Sequence, residues 1–275
     1  MGVLLSGGLD SSLIVALLAE AGQHGLRTFS IGFDAAGGEQ GDEFRYSDVV
    51  AREFGTDHHK ISIPNVDIAA ELGEAVAAMS EPMASHDAVA FYLLSQRVAE
   101  HVKVVQSGQG ADEVFAGYWW HQPFAAVPRD RAPAEFLATF PDRTHADVLA
   151  AMPDDPVKRV DNMTMAWGLE ARVPFLDRDL VELAAACPVE HKLADGGKGV
   201  LKRIGRRVLP NEVVDRPKGY FPVPGLRTLE GPVLDLVGDV LRSPAARERE
   251  LYDPDHVATL LDAPNEHRSA SGANL

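Results

Sequence analysis

Three apolar residues, Val3-Leu-Leu5, run straight into Ser6-Gly-Gly-Leu-Asp-Ser-Ser12, and an amphipathic stretch follows to Ala21. A buried strand, then a glycine-rich loop, then a helix restricts the fold more than any other feature of the chain. The same alternation recurs. Residues 27–33 (RTFSIGF) read as a strand, 43–54 as a helix, 58–63 (HHKISI) as a strand, 66–79 and 89–100 as helices, and 103–106 (KVVQ) as a fourth strand. Strands that alternate with helices pair in parallel and need cover on both faces. The expected class is α/β, a parallel sheet with helices on both faces. Past Tyr118 the pattern changes: residues 122–156, 157–190 and 198–208 read as helical, and the Pro/Gly-punctuated Asp215–Pro224 does not. One domain over 1–275 is expected, with an α/β nucleotide-binding core over 1–120 and a mainly helical part over 121–275.

The loop after the first strand carries the chemistry. It lies at a carboxyl strand edge, where the following helix offers unpaired N–H groups and a positive dipole end to an anion. Gly7 and Gly8 let the backbone approach a phosphate closely. Ser6, Ser11 and Ser12 add hydroxyl donors. Asp10 is out of place beside phosphates unless a divalent cation lies between, and Mg²⁺ suits oxygen ligands. The plainer reading is a Ser/Gly turn with Asp10 or Ser11 capping a helix. The lysine of a Walker A loop is absent. A second such loop, Ser107-Gly-Gln-Gly-Ala-Asp-Glu113, follows the fourth strand, and Asp112 and Glu113 there could equally be ordinary acidic residues of a first helical turn.

Composition narrows the partners. The net charge is −15 over 275 residues, so no general basic field gathers nucleic acid. Cys187 is the only cysteine, which leaves no internal disulfide and reads as cytoplasmic. No stretch is long enough to span a membrane. Within this acidic chain, Lys198, Lys202, Arg203, Arg206 and Arg207 cluster, either as a solvated helix face or with one cation turned into a cleft.

SGGLDSS resembles the PP-loop of the ATP pyrophosphatases, and the chain from Val3 to about Pro224 resembles the synthetase domain of asparagine synthetases and their β-lactam synthetase relatives. That resemblance implies an AMP-forming ligase. A substrate carboxylate, aspartate or a glutaminyl dipeptide, attacks ATP, and ammonia then converts the acyl-adenylate to an amide. It implies that Leu5, Ser6, Gly7, Gly8, Asp10, Ser11, Ser12, Ile31, Ser107 and Gly108 bind the nucleotide. Asp10 and Asp112 would share Mg²⁺, and Lys198, matching the lysine of G-x-x-K-x-x-L-R, would stabilise the transition state. DNMTMAWGLEARVPFLD is similar to a family string on the acyl-acceptor side, which brings in Arg172 and Asp177, although Glu170 and Arg172 could be a structural pair. Lys218 matches a later lysine element. EPMASHDA resembles a cleft-lining segment, in which Asp87 could equally cap a helix.

Gln109 departs from the family, which has Glu there. An amide cannot act as a base, so Glu113 and Glu81 become the substitutes, or the substrate differs. GGKGVLK, DRPKGYFPVP and SGQGADE together resemble the N-acetylglutaminylglutamine amidotransferase subgroup. Other readings are a tRNA-modifying PP-loop enzyme and a non-catalytic nucleotide-binding module. His58-His59 read as strand-edge histidines rather than a metal site, and Trp119-Trp120 as packing. Family members usually carry an N-terminal glutaminase domain that delivers ammonia. This chain lacks it, and both ends look cut, so the expectation is a truncated synthetase domain that needs added ammonia, binds neither nucleic acid nor membrane, and allows a homodimer.

Overall fold

The computed structural model describes residues 1–38, 40–81, 83, 87–128, 130–131, 134, 157–217 and 223–266, the side chains of 120, 124 and 125 excepted. Five strands form one sheet: β1 (Gly2–Leu4), β2 (Arg27–Phe33), β3 (Asp57–Ile63), β4 (Val104–Gln106) and β5 (Glu170–Arg172), in the order β3-β2-β1-β4-β5. Every pairing is parallel, with Val3 opposite Thr28 on one side and Gln106 on the other. The expected parallel sheet with helices on both faces is therefore present.

The first three crossovers are helical: α1 (Leu9–Glu20), α2 (Phe44–Phe54), then α3 (Asn65–Ala77) and α4 (Asp87–Ala99) in succession. The faces are filled by two separate cores. Val3 and Leu5 pack with Leu13, Val15, Val50 and Leu201 on one side. Leu4, Phe29 and Ile63 pack with Ile68, Leu93 and Met163 on the other. Adjacent residues of β1 thus serve opposite cores, as the two-residue period of a strand demands. Fully burying a side chain of this size contributes about 1.5–3 kcal/mol, which holds a strand of only three residues at the sheet's centre. The first two turns of α1 are buried nearly all round, whereas Leu17, expected on its inner face with Leu13 and Ala16, is exposed.

Two expectations are corrected. Residues 157–190 are not one helical stretch: the helix ends at residue 165, and Glu170–Arg172 forms the fifth strand. Glu-Ala-Arg is short, polar and at the sheet's edge, with Glu170 and Arg172 exposed, so it carries none of the apolar alternation that marks a strand. Trp119, expected to pack, is 71% exposed. Most of residues 122–156, as well as Pro82, His86 and 218–222, lie outside the described residues. No helix among the described residues is long and apolar enough to cross a membrane.

The strand order positions the site. From β1 the chain builds outward through β2 and β3, then α3 and α4 carry it back to lay β4 on the opposite side of β1. Successive loops therefore diverge at the carboxyl ends of β1 and β4. That crevice is where open α/β sheets bind ligands.

Candidate active site

A cavity of about 310 Å³ opens at this divergence. The loop after β1 and the start of α1 line it with Leu5, Ser6, Gly8, Asp10 and Ser11, and the loop after β4 and the helical turn that follows it with Ser107, Gly108, Gln109 and Asp112. Ser107 N–H donates to Arg172 O at 2.9 Å, so the edge strand missed in the sequence anchors the start of the second loop. Leu5, Ile31 and Phe44 supply apolar surface to the same cavity.

Lys198 joins the two loops. Its ammonium lies 2.5 Å from Asp10 Oδ2 and 2.9 Å from Asp112 Oδ2, and the residue is 8% exposed. Burial alone would push its pKa down. The two carboxylates outweigh that, and the pKa stands above the ordinary lysine value, so the ammonium is charged. The backbone at Lys198 is left-handed, φ 55° and ψ 28°, at the N-cap of the Gly199–Val208 helix. A non-glycine residue there costs about 1–2 kcal/mol. The segment is held by Lys198 N–H donating to Phe115 O at 3.2 Å. Strain that the surroundings maintain is common where a side chain must be placed for function.

Gly117 closes the other side of this group. A Cβ added there would collide with Asp112 Oδ1 and with Lys198 Cε. Glycine at 117 thus lets the backbone lie against the ion pair.

The carboxylates lining the cavity have cationic neighbours. Asp10 and Asp112 meet Lys198, Glu43 meets Arg216 at 2.6 Å, and Asp87 meets the buried Arg159 at 3.2 Å. Lys202 also lines the cavity, with burial the largest influence lowering its pKa. The acidic chain therefore does not present a bare anionic cleft, which would repel a polyphosphate. One ammonium nitrogen touches both Asp10 and Asp112, so their oxygens face a common point. Two hard oxygen donors completed by substrate phosphates and water suit Mg²⁺. No cluster of three or more acidic, His or Cys side chains able to hold a metal occurs among the described residues.

Several residues expected at the site stand elsewhere. Gly7 and Ser12 do not line the cavity: Gly7 packs against α2, and Ser12 is fully buried. Glu113 accepts from Tyr118 Oη at 2.5 Å, and Glu81 pairs with Lys158 at 2.5 Å; neither lines the cavity. Burial first, then this bond to Glu113, pushes the Tyr118 phenol far up, so it remains a donor. Arg172 is exposed and lies 3.2 Å from Glu170. Asp177 caps the Arg178–Ala186 helix by accepting from the amides of Asp179 and Leu180. Lys218 lies outside the described residues. His58 bonds to Thr28 Oγ1 and to the cavity-lining Ser47 Oγ, and burial lowers its pKa; His59 stacks on Phe29.

The sequence reading missed Arg216 and Glu43. Arg216 lies inside the quoted DRPKGYFPVP string, one position ahead of its Pro-Lys-Gly run, and attention there went to Lys218 instead.

A family model described as asparagine synthase matches residues 1–142 and 128–275. The chain is 25% identical to the glutamine-hydrolyzing asparagine synthetase 1 of Bacillus subtilis, over 95% of this chain and 52% of the relative. It is 34% identical to the glutamine-hydrolyzing asparagine synthetase 2 of Oryza sativa subsp. japonica, over 80% and 36%, and 32% identical to asparagine synthetase 2 of Arabidopsis thaliana, over 80% and 37%. The chain spans about half the length of the first two curated relatives it matches, at 52% and 51%.

Proposed function

The chain belongs to the asparagine synthase family, and from that premise we propose that it is the ATP-dependent synthetase part of an AMP-forming carbon–nitrogen ligase. The observation that carries this reading is the juxtaposition of Lys198, Asp10 and Asp112 between two glycine-rich loops at the sheet's divergence. A substrate carboxylate oxygen attacks the α-phosphorus of ATP, and the bond to pyrophosphate breaks. Ammonia then attacks the acyl carbon. The C–N bond forms, AMP departs with the former carboxylate oxygen, and a proton is lost.

The residues divide that work. Leu5, Ile31 and Phe44 receive the base and ribose. Ser6, Gly8, Ser11, Ser107 and Gly108 hold the phosphates through hydroxyl and amide donors. Asp10 and Asp112 would hold Mg²⁺, which when bound neutralises charge on the departing pyrophosphate. Lys198 supplies fixed positive charge where negative charge grows in the transition state. Gly7 and Ser12 serve the loop's packing. Gln109 lines the cavity where the resembled family has Glu, which favours a substrate other than aspartate, such as a glutaminyl dipeptide, in the same class of reaction. Ammonia comes from glutamine hydrolysed outside the matched half of the relatives, and the consumption of ATP fits a cytoplasmic setting.

The experiment is ATP–pyrophosphate exchange with a panel of carboxylates. One carboxylate, aspartate or a glutaminyl dipeptide, is expected to raise exchange at least about tenfold over the ATP-only rate, a change worth about 1.4 kcal/mol. Exchange that no carboxylate stimulates rules out the first step.

A further inference from the structure

We propose that Arg216 is a positioning residue that presets the phosphate-facing loop Ser6–Asp10 for its ligand. The inference rests on the reading of that loop as a phosphate site and names the residue that fixes its geometry.

Arg216 follows the short Asn211–Val214 helix, and its side chain is 8% exposed. One arm of the guanidinium donates to Gly7 O at 3.2 Å, the other to Glu43 Oε1 at 2.6 Å, and the group lies 4.4 Å from the centre of the Tyr46 ring. A buried cation needs such compensation, and the planar fork of arginine supplies it in fixed directions. Glu43 and Tyr46 both belong to the start of α2, so Arg216 clamps the loop against that helix.

The consequence lies in the peptide after Gly7. In a trans peptide the carbonyl and the next N–H point opposite ways, and no cis peptide occurs among the described residues. Holding Gly7 O toward Arg216 therefore turns Gly8 N–H to the other side. There it meets Ser6 Oγ at 3.2 Å, and both Ser6 and Gly8 line the cavity. Arg216 thus selects the orientation in which the Gly8 amide holds the Ser6 hydroxyl at the cavity wall. Gly7 itself has φ 73°, and a Cβ there would come within 2.5 Å of Ser47 N, so the loop is seated from below as well. A preset donor array binds without reorganising, which is where such positioning improves affinity.

Calorimetry with ATP plus Mg²⁺ and with adenosine separates this role from general stability. For Arg216→Gln, the Kd for ATP is expected to rise roughly tenfold or more, the scale of a lost charge-assisted hydrogen bond, while the adenosine Kd stays within about twofold. Arg216→Lys keeps the charge but cannot fork, and is expected to fall between Gln and the unaltered protein for ATP alone; if the Gln variant does not fold, this one carries the comparison. Equal weakening of ATP and adenosine, or no change for either, overturns the proposal. If the unaltered protein binds adenosine but gains nothing from the phosphates, the phosphate-site reading itself falls, an outcome distinct from failure of the Arg216 role.

Discussion

Lys198→Met is expected to lower the rate of amide formation by about 10²–10³ at saturating ATP, as removal of a preorganised transition-state donor does elsewhere, while ATP still binds. The same change has a second signature. Lys198 is the charge between Asp10 and Asp112, so its removal leaves two carboxylates facing each other in a largely buried position. Breaking a buried ion pair by deleting one partner costs about 3–5 kcal/mol. The carboxylates will relieve part of that by sharing a proton, since like charges at close range cannot both ionise easily. Urea denaturation at neutral pH should therefore show a clear loss of stability that added Mg²⁺ offsets, because a divalent cation between the same oxygens replaces the missing charge. The rate should stay low even when Mg²⁺ has restored stability. That split separates the chemical role from the structural one. A variant whose rate recovers along with its stability would make Lys198 a structural cation only.

Gly117→Ala is expected to be nearly as damaging, although it adds one methyl group and removes no functional group. The new Cβ has no room: Asp112 Oδ1 and Lys198 Cε occupy the space it needs. Neither can retreat without disturbing the contacts of 2.5 and 2.9 Å that join the loops. Overpacking of this kind costs about 1–3 kcal/mol, which a domain of this size can absorb and remain folded. The displaced ammonium cannot be absorbed so easily, because a shift of about 1 Å at the reacting centre costs about 100-fold in rate. Steady-state rates beside a thermal melt are the measurement. A rate within about threefold of the unaltered protein, a difference of less than 1 kcal/mol, would show that the Lys198–Asp112 contact is not part of the chemistry.

These two predictions depend on how much of the site can be read without a structure, and particular residues show the division. β2 spans Arg27–Phe33, as the alternation of Phe29, Ile31 and Phe33 toward one core indicates. The two glycine-rich loops were legible for a related reason. Each stands between a strand and a helix, and that order alone sets a loop at the carboxyl edge. Composition marked a cluster of five cations in an acidic chain, and the resemblance to a family lysine pattern singled out Lys198 among them. Its ion pairing was not legible, since Asp10 lies 188 positions away and only folding joins them. Arg216 and Glu43, 173 positions apart, are the same case with less local signal. β5 was missed because an edge strand of three residues with exposed ends carries no periodicity. Asp177 sits in a motif-like string for which structural and substrate-side roles were both open, and the structure places it at a helix start, where it accepts from two backbone amides.

The central claim is that a substrate carboxylate oxygen becomes bonded to the α-phosphorus of ATP. It is tested by supplying the carboxylate that stimulates exchange with ¹⁸O in its carboxyl group, together with ATP, Mg²⁺ and ammonia, and weighing the AMP by mass spectrometry. One labelled oxygen in the AMP is the expected result, because the acyl carbon gives up that oxygen when nitrogen attacks. Amide formed alongside unlabelled AMP, or labelled phosphate formed with ADP, would contradict the account.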